Sequence, residues 1–328
     1  MAAEHAPSRG TTLSNDALTP VRGVAALTHF GLLQFTGADA AAFLQGQVSC
    51  DVNALQPGHA VYGSYNTPKG RMLASFLLWR DETGFTMQLP RSVCEATRKR
   101  LSMYVLRSKV TVRDASDDYV LLGAAGTDAM PVLASLIAAA PAAALAMATV
   151  SGARLLRLDS ARVLIVVDRE RGHALTEALT AKLDPLSTDL WDWTDICAGI
   201  PYITPATQDQ FVPQMANLDL IDGVSFTKGC YPGQEIVARM HYLGKLKQRM
   251  YLAAAPDEDL PQPGDKLYSP DTGEQATGMI VNAARGPDGR PAALAVMHIE
   301  SFKRGEVHLK APTGPRLEFM DLPYPIPS

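Results

Sequence analysis

Three apolar runs, residues 60–65, 71–79 and 84–89, are cut apart by Asn66-Thr-Pro-Lys-Gly70 and Asp81-Glu-Thr-Gly84, both turn chemistries. This pattern commits the first third of the chain to an antiparallel meander. A strand over 31–35 precedes it, and Thr36-Gly-Ala-Asp39 opens a helix over 40–45, with the acid where a helix dipole favours it. Residues 91–104 follow as a helix, with Val93, Ala96, Leu101 and Tyr104 near one face and Arg98, Lys99 and Arg100 largely off it. Strands over 109–113, 120–123, 154–158 and 163–167 then alternate with helices over 129–140 and 171–183. Strands and helices interspersed in this way, with hairpins, define an α+β chain whose antiparallel sheets carry helices on one face.

Residues 187–198 read as a capped helix ending at Gly199, with Pro201 two residues on. From Gln248 the texture changes to short apolar runs (250–254, 266–268, 277–283, 292–299, 306–309, 316–319) divided by Gly/Pro turns, the signature of a small barrel or sandwich. No charge occurs between Asp128 and Arg154, long enough to cross a bilayer, but the stretch is alanine-rich and broken by Pro131 and Pro141. A buried helix and a turn, not a membrane span, are expected there. Of the 328 residues 47% are apolar and 20% charged, with a net charge of −4, which excludes wholesale disorder and nucleic-acid binding through bulk charge. The first twenty residues contain no apolar h-region, so no secretory signal is visible.

The most informative stretch runs from Phe226 to His241. Pro232-Gly233 marks a turn, and Ile236, Val237, Met240 and Leu243 then fall near one face of a helix beginning about Gln234. Cys230 would sit just ahead of that helix, with Lys228 two residues away. Dipole and ammonium both favour a thiolate, and Glu235 opposes it. A lone cysteine is also simply a small buried hydrophobe in many folds. Tyr231 could stack on a planar ligand or pack the turn, and Gln234 and Glu235 could bind a donor-rich heterocycle or be ordinary first-turn residues. Lys228, Arg239, Lys245, Lys247 and Arg249 form one basic cluster, and Arg98, Lys99, Arg100, Arg107 and Lys109 another. They are solvated faces unless they line one groove, where they would suit an anionic ligand or a phosphate backbone.

Absent motifs narrow the chemistry. There is no GxxxxGK[ST] loop, no GxGxxG after a strand, no HExxH and no GxSxG. Cys50, Cys94, Cys197 and Cys230 are dispersed with no CxxC pair, and the seven histidines form no close ligand pair. Neither zinc nor a resident iron–sulfur cluster is expected, and the sparse cysteines suit a reducing cytoplasm.

At Lys228-Gly-Cys-Tyr-Pro-Gly-Gln-Glu235 the sequence closely resembles the signature of the YgfZ family, folate-binding relatives of the aminomethyltransferase (T-protein) of glycine cleavage. Phe43-Leu-Gln-Gly-Gln-Val-Ser-Cys-Asp51, Ala198-Gly-Ile-Pro201, Phe211-Val-Pro-Gln214 and Asn217-Leu218 support it, and the likeness runs from Leu27 to Phe319. The resemblance implies a three-domain ring with ferredoxin-like antiparallel sheets and a small C-terminal β-barrel, enclosing a channel for tetrahydrofolate. The corresponding division is a flexible arm (1–20), two α+β units (21–115 and 116–185), a signature segment completing the folate channel (186–247) and the barrel (248–328). It further implies a cytoplasmic role in assembling or repairing iron–sulfur clusters of selected enzymes, including those that methylthiolate tRNA. Partners would be iron–sulfur enzymes or their assembly factors, with tRNA as a further contact and no membrane.

In that picture Cys230 carries a redox or transfer step, and Lys228, Tyr231, Gln234, Glu235, Arg239, Asn66 and Cys197 surround the folate. Two departures from the aminomethyltransferase pattern matter. Ala74 and Ser75 stand where those enzymes carry the aspartate that activates the folate nitrogen, removing the obvious proton-handling group. Cys197 stands where relatives place a glutamate against the pterin edge, and a neutral thiol is a weak substitute for a charge-assisted acceptor. The expectation is therefore an accessory folate-binding protein. The alternatives are a one-carbon transferase and a non-catalytic module that docks tRNA or protein.

Overall fold

The computed structural model describes residues 21–256 and 260–327; the arm expected over residues 1–20 lies outside the described residues. The chain opens with β1 (Gly23–Ala26), β2 (Phe30–Thr36), α1 (Ala40–Gln45), β3 (His59–Asn66), β4 (Met72–Asp81), β5 (Gly84–Pro90), α2 (Arg91–Ser102) and β6 (Thr111–Asp114). Next come β7 (Tyr119–Ala125), α3 (Ala129–Leu136), β8 (Met147–Val150), β9 (Ala153–Arg157), β10 (Arg162–Asp168), α4 (Arg169–Thr180), β11 (Pro185–Leu186) and α5 (Thr188–Cys197). After α6 (Gln234–Tyr242) the chain closes with β12 (Gln248–Ala254), β13 (Lys266–Tyr268), β14 (Ala276–Arg285), β15 (Pro291–His298), α7 (Ile299–Arg304), β16 (His308–Leu309) and β17 (Glu318–Met320).

Three sheets result, with strand orders β3-β4-β5-β2-β6, β11-β1-β7-β10-β9-β8 and β16-β13-β14-β15-β12-β17. Apart from the parallel β1–β11 pair, every pairing is antiparallel. The last sheet curls until its edges approach, through the His308–Arg316 bridge and the Leu317 N–H to Val307 O bond of 2.9 Å. That curled sheet is the form the expected barrel takes.

Strand side chains alternate between faces, and here both faces of each sheet are buried. In β4, Phe76 and Leu78 lie in a core shared with Leu44 of α1 and Leu101 of α2, whereas Leu77 and Trp79 enter a central core. In β15, Ala293, Ala295 and Met297 fill the interior of the curled sheet while Leu294 and Val296 face the same central core. Leu122 and Ile165 pack with Leu133 of α3 and Leu179 of α4, and Leu121, Leu164 and Val166 point centrally. Double burial is why these strands read as continuous apolar runs.

Several expectations need correcting. Strand β1, between the arm and the meander, joins the second sheet, so residues 21–115 contribute to two sheets. Helix α2 stops at Ser102 and buries Val93, Cys94, Thr97 and Leu101, leaving Ala96 and Tyr104 exposed. Thr97 is accommodated because its hydroxyl donates to Val93 O at 2.8 Å. Helix α3 stops at Leu136, short of Ala140, with only Ala129 and Leu133 buried. Of the four apolar residues assigned to the buried face of α6, only Val237 is buried.

Helix α5 begins as expected, with Ser187 Oγ accepting from Leu190 N at 3.2 Å, and Gly199 takes a left-handed φ of +69° after its end. Trp191 lies flat over Gly123 of β7, where an added Cβ would stand 2.4 Å from the indole ring. Replacing Gly123 with alanine should destabilise the protein by about 1–3 kcal/mol through overpacking. Gly46→Ala, whose nearest neighbour would be 3.6 Å away, serves as a control of little effect. Urea unfolding of both variants measures the contrast; equal midpoints would disprove the contact.

Candidate functional site

The loop carrying Cys230 is stitched to the loop between α1 and β3. Ser49 Oγ donates to Gly223 O at 2.6 Å and accepts from Ser64 N at 2.8 Å, and Ser225 N donates to Ser49 O at 2.9 Å. Lys228 then buries its ammonium, donating to Val48 O and Cys50 O at 2.7 Å each, with the Tyr231 ring centroid 5.2 Å away. Burial pushes its pKa down to about 8, against the opposing pull of Cys50 and Asp51. The charge expected to activate Cys230 is thus engaged by two carbonyls, and it anchors the loop. Cys230 itself is exposed, as is Gly229, where an added Cβ would meet nothing within 4 Å. Cys50 and Cys94 are buried, with pKa values raised to about 12, chiefly by burial.

Glycine meets glycine behind this loop. A Cβ on Gly233 (φ +82°) would stand 2.5 Å from Gly70 Cα and 2.6 Å from Thr67 O. A Cβ on Gly70 (φ +73°) would stand 3.0 Å from Ile236 Cβ. The Asn66–Gly70 turn and the Pro232–Gly233 turn can therefore touch only because both lack side chains there. Gln234 fixes the same loop by donating to Lys228 O at 3.2 Å. The buried Tyr231 hydroxyl, and both polar atoms of the buried Asn66 side chain, have no hydrogen-bond partner among the described residues. Such groups cost about 1–3 kcal/mol each unless a ligand or water meets them. Glu235 and Arg239 are exposed on α6. Lys228, Tyr231, Gln234 and Asn66 thus share one neighbourhood with Cys230, and Cys197, at the end of α5, is not part of it.

Two of the other quoted stretches brace the elements on either side of the loop after α6, Gln214 binding α6 and Asn217 binding β12. Gln214 Nε2 donates to Val237 O at 2.6 Å, and Asn217 Nδ2 donates to Met250 O at 2.8 Å. Arg249 forks onto Asp219 at 2.6 and 2.9 Å and also donates to Gln214 O. On the outer side of α6, His241 stacks on Phe226 at 3.8 Å between centroids, with Tyr242 edge-on.

A second feature escaped sequence reasoning. A cavity of about 220 Å³ opens between the first and third sheets against α5, lined by His29 and Phe30, Asp192, Asp195 and Ile196 of α5, Tyr202, and Asn282 of β14, among others. Asp195 is buried and bonded through Oδ1 to the Arg162 guanidinium, while its Oδ2 has no partner. Burial pushes its pKa up to about 6 despite Arg162, and Asp192 adds to the rise. His29 Nδ1 is likewise unpartnered, and Nε2 lies 2.8 Å from Asp192 Oδ1 but out of line for a hydrogen bond. Nothing local marks Asp195 in sequence, because its environment is made by Arg162, thirty-three residues earlier. Cys197 does not line this cavity, and burial raises its pKa to about 12, so it presents a neutral thiol.

Where transferases carry their aspartate, Ala74 is sealed in the core and Ser75 is a clamp. Its hydroxyl donates to Pro201 O at 2.8 Å and accepts from Ile203 N at 2.9 Å. Among the described residues no group of three His, Cys, Asp or Glu side chains could hold a metal ion. No described helix is long and apolar enough to cross a membrane.

This architecture is that of the aminomethyltransferase fold. The chain superposes on glycine cleavage system aminomethyltransferase T from Bartonella henselae with a TM-score of 0.76 at 17% identity, covering 92% of this chain and 85% of that one. Residues 16–167 match the GCVT N-terminal domain. Within that fold the chain belongs to the YgfZ family. It is 35% identical over 276 residues to the tRNA-modifying protein YgfZ of Shigella boydii, spanning 83% of this chain and 84% of the relative. It is 33% identical over 303 residues to that of Sodalis glossinidius, covering 92% of each.

The two-glycine contact can be tested directly. Gly233→Ala, which meets backbone at 2.5 Å with a positive φ, should cost about 1–3 kcal/mol. Gly229→Ala, one residue from the same cysteine, should be near neutral. Urea melts of the pair check this, and equal losses would remove the packing argument.

Proposed function

We propose that the protein is a cytoplasmic, reduced-folate-binding accessory factor that supports iron–sulfur enzymes acting on tRNA, with Cys230 as its reactive group. The observation that carries the folate part is the buried Asp195 carboxylate, one oxygen of which has no partner, in the wall of the cavity beside α5. A pterin edge presents adjacent N–H donors, and a buried carboxylate is the acceptor that suits them. The cavity is smaller than the ~300–1,000 Å³ typical of ligand clefts. It would take the ring system and leave the aminobenzoyl-glutamate tail outside. Asp195 would hold the pterin edge in place of Cys197, with His29 Nδ1 as a further polar contact and Phe30 and Tyr202 as apolar walls. Folate would supply one-carbon or redox chemistry when bound.

The Ser75 clamp favours an accessory role over one-carbon transfer, because its hydroxyl is committed to the backbone and no carboxylate stands beside it. The printed name of the relatives, tRNA-modifying protein, supports the tRNA connection. Asn66, Tyr231, Gln234, Glu235 and Arg239 remain proposed contacts for the ligand or client that meets Cys230.

The Asp195 shift gives a pH test. Its folded pKa lies above the unfolded value, so between about pH 4 and 6 the folded protein holds the extra proton, and this group's stabilising contribution is lost as pH rises through that window. Ligand binding runs the other way, since a donor edge needs the ionised carboxylate. Affinity for 5-formyltetrahydrofolate should fall about tenfold from pH 7 to pH 5, and Asp195→Asn should bind weakly at both. Calorimetry at the two pH values measures it; a pH-independent affinity in the wild type sinks the assignment. For the thiol, a strain lacking the gene should lose iron–sulfur-dependent tRNA methylthiolation, and Cys230→Ala should fail to restore it. Full rescue would remove Cys230 from the mechanism.

A further inference from the structure

All six large apolar side chains that stay exposed among the described residues fall in two short segments: Met103, Tyr104 and Leu106 after α2, and Ile236, Tyr242 and Leu243 on or just after α6. Leu106 and Leu243 are 86% and 85% exposed. Clustering of this kind, as opposed to single scattered residues, marks an interaction surface. Both segments brace the same end of β3. Arg100 and Tyr104 lie close enough to the Tyr65 side chain to act on its charge, and Tyr65 pairs with Val48, whose carbonyl holds Lys228. On the other side Ile236 rests against Gly70, which closes the turn that follows β3. Cys230 lies on the loop that Lys228 ties to Val48 O and Cys50 O and that Gly233 seats against Gly70.

Charge accompanies both segments. Residues 98–109 contain Arg98, Lys99, Arg100, Arg107 and Lys109 and no acid; residues 239–247 contain Arg239, His241, Lys245 and Lys247 and no acid. Glu95 takes up Arg98 and Lys99 at 2.7 and 3.3 Å, which leaves Arg107 and Lys109 on one side and Arg239, Lys245 and Lys247 on the other as the rim. Asp39, which accepts from Lys109 N at 2.7 Å and lines one depression with Tyr104, Leu106 and Arg107, and Glu235 on α6 are the acids beside them, so on a chain of net charge −4 the local balance is still basic.

We propose that these segments form one docking face for a protein partner that presents an acidic rim around an apolar centre, and that docking brings the partner's cluster-bearing region to Cys230. This deepens the function proposed above and rests on it for the identity of the partner. Protein is favoured over nucleic acid because the most exposed groups, Leu106, Leu243 and Met103, gain by being desolvated against apolar side chains, whereas a phosphate backbone offers them no such surface. The basic rim steers an acidic partner into place.

The test uses the full chain and a purified iron–sulfur tRNA methylthiotransferase as the probe, followed by biolayer interferometry, with unmodified tRNA as a second probe and light scattering of the protein alone. The wild type should bind the enzyme with a salt-sensitive association rate. Leu106→Ser/Leu243→Ser should weaken binding at least tenfold with an unchanged circular dichroism melt, since both side chains are exposed. Lys245→Glu/Lys247→Glu should slow association and flatten its salt dependence. No binding by the wild type, unchanged affinity in both double variants, binding of tRNA but not enzyme, or self-association abolished by Leu106→Ser/Leu243→Ser would each overturn the docking face. Complete rescue by Cys230→Ala with these binding results intact would instead refute the role of the thiol and leave the docking face standing.

Discussion

The structure depends on one stretch of chain, residues 188–204, that contacts all three sheets. Trp191 covers Gly123 in the second sheet, and Trp193 packs against Gly286 in the turn between β14 and β15. Tyr202 exchanges two backbone bonds with the Asn282 side chain, at 2.8 and 2.9 Å, and Ser75 reaches from the first sheet to the backbone on either side of Tyr202. At its centre Arg162 binds both Asp159 and Asp195. A buried ion pair of this kind contributes little net stability, because desolvation of both charges offsets their attraction, but breaking one side is costly. Its consequence is directional. The pair fixes α5 against β10 and leaves one carboxylate oxygen of Asp195, a residue in the cavity wall, without a partner.

The same stretch explains why three modest sheets make a single core. Each sheet has a private core on one face and contributes the other face to the common centre, where Trp79, Leu164 and Leu294 meet. A sheet in this arrangement has no face left for solvent. That geometry concentrates the polar groups buried at the junction, among them Asp195, into the few positions where side chains bond each other.

Much of this was legible in sequence. The meander, the Ser187 cap and the chain of short strands after Gln248 follow from local turn and burial patterns, which are local in the structure too. Where the reading failed, distance along the chain is the cause. Strand β1 pairs with β7 and β11, far away, so its sheet could not be assigned from its neighbours. The helical spacing of Ile236, Val237, Met240 and Leu243 is real, but only Val237 finds a core; Met240 is half-buried, and Ile236 and Leu243 are exposed. Periodicity records that a face is apolar, not what covers it. The missing carboxylate at Ala74 and Ser75 could be seen as an absence; that Ser75 had become a backbone clamp, and that Asp195 keeps an unpartnered oxygen, required the fold.

Lys228 shows how a signature residue can act through geometry. Its ammonium is buried against two carbonyls and the Tyr231 ring, and together with the Gly70–Gly233 contact it holds the Cys230 loop on a rigid base. The thiol, in contrast, stands in the open, and the cavity with the unpartnered carboxylate is lined by other residues. A cysteine built to react with a small ligand would be expected in the pocket wall, shielded from competing reactions. One rigidly held at the surface, on the loop that leads into the exposed apolar residues of α6, would in the function proposed above meet a group that another macromolecule carries. The Asp195 cavity and the thiol are two separate places in the fold, lined by different residues, and the proposal gives each its own ligand.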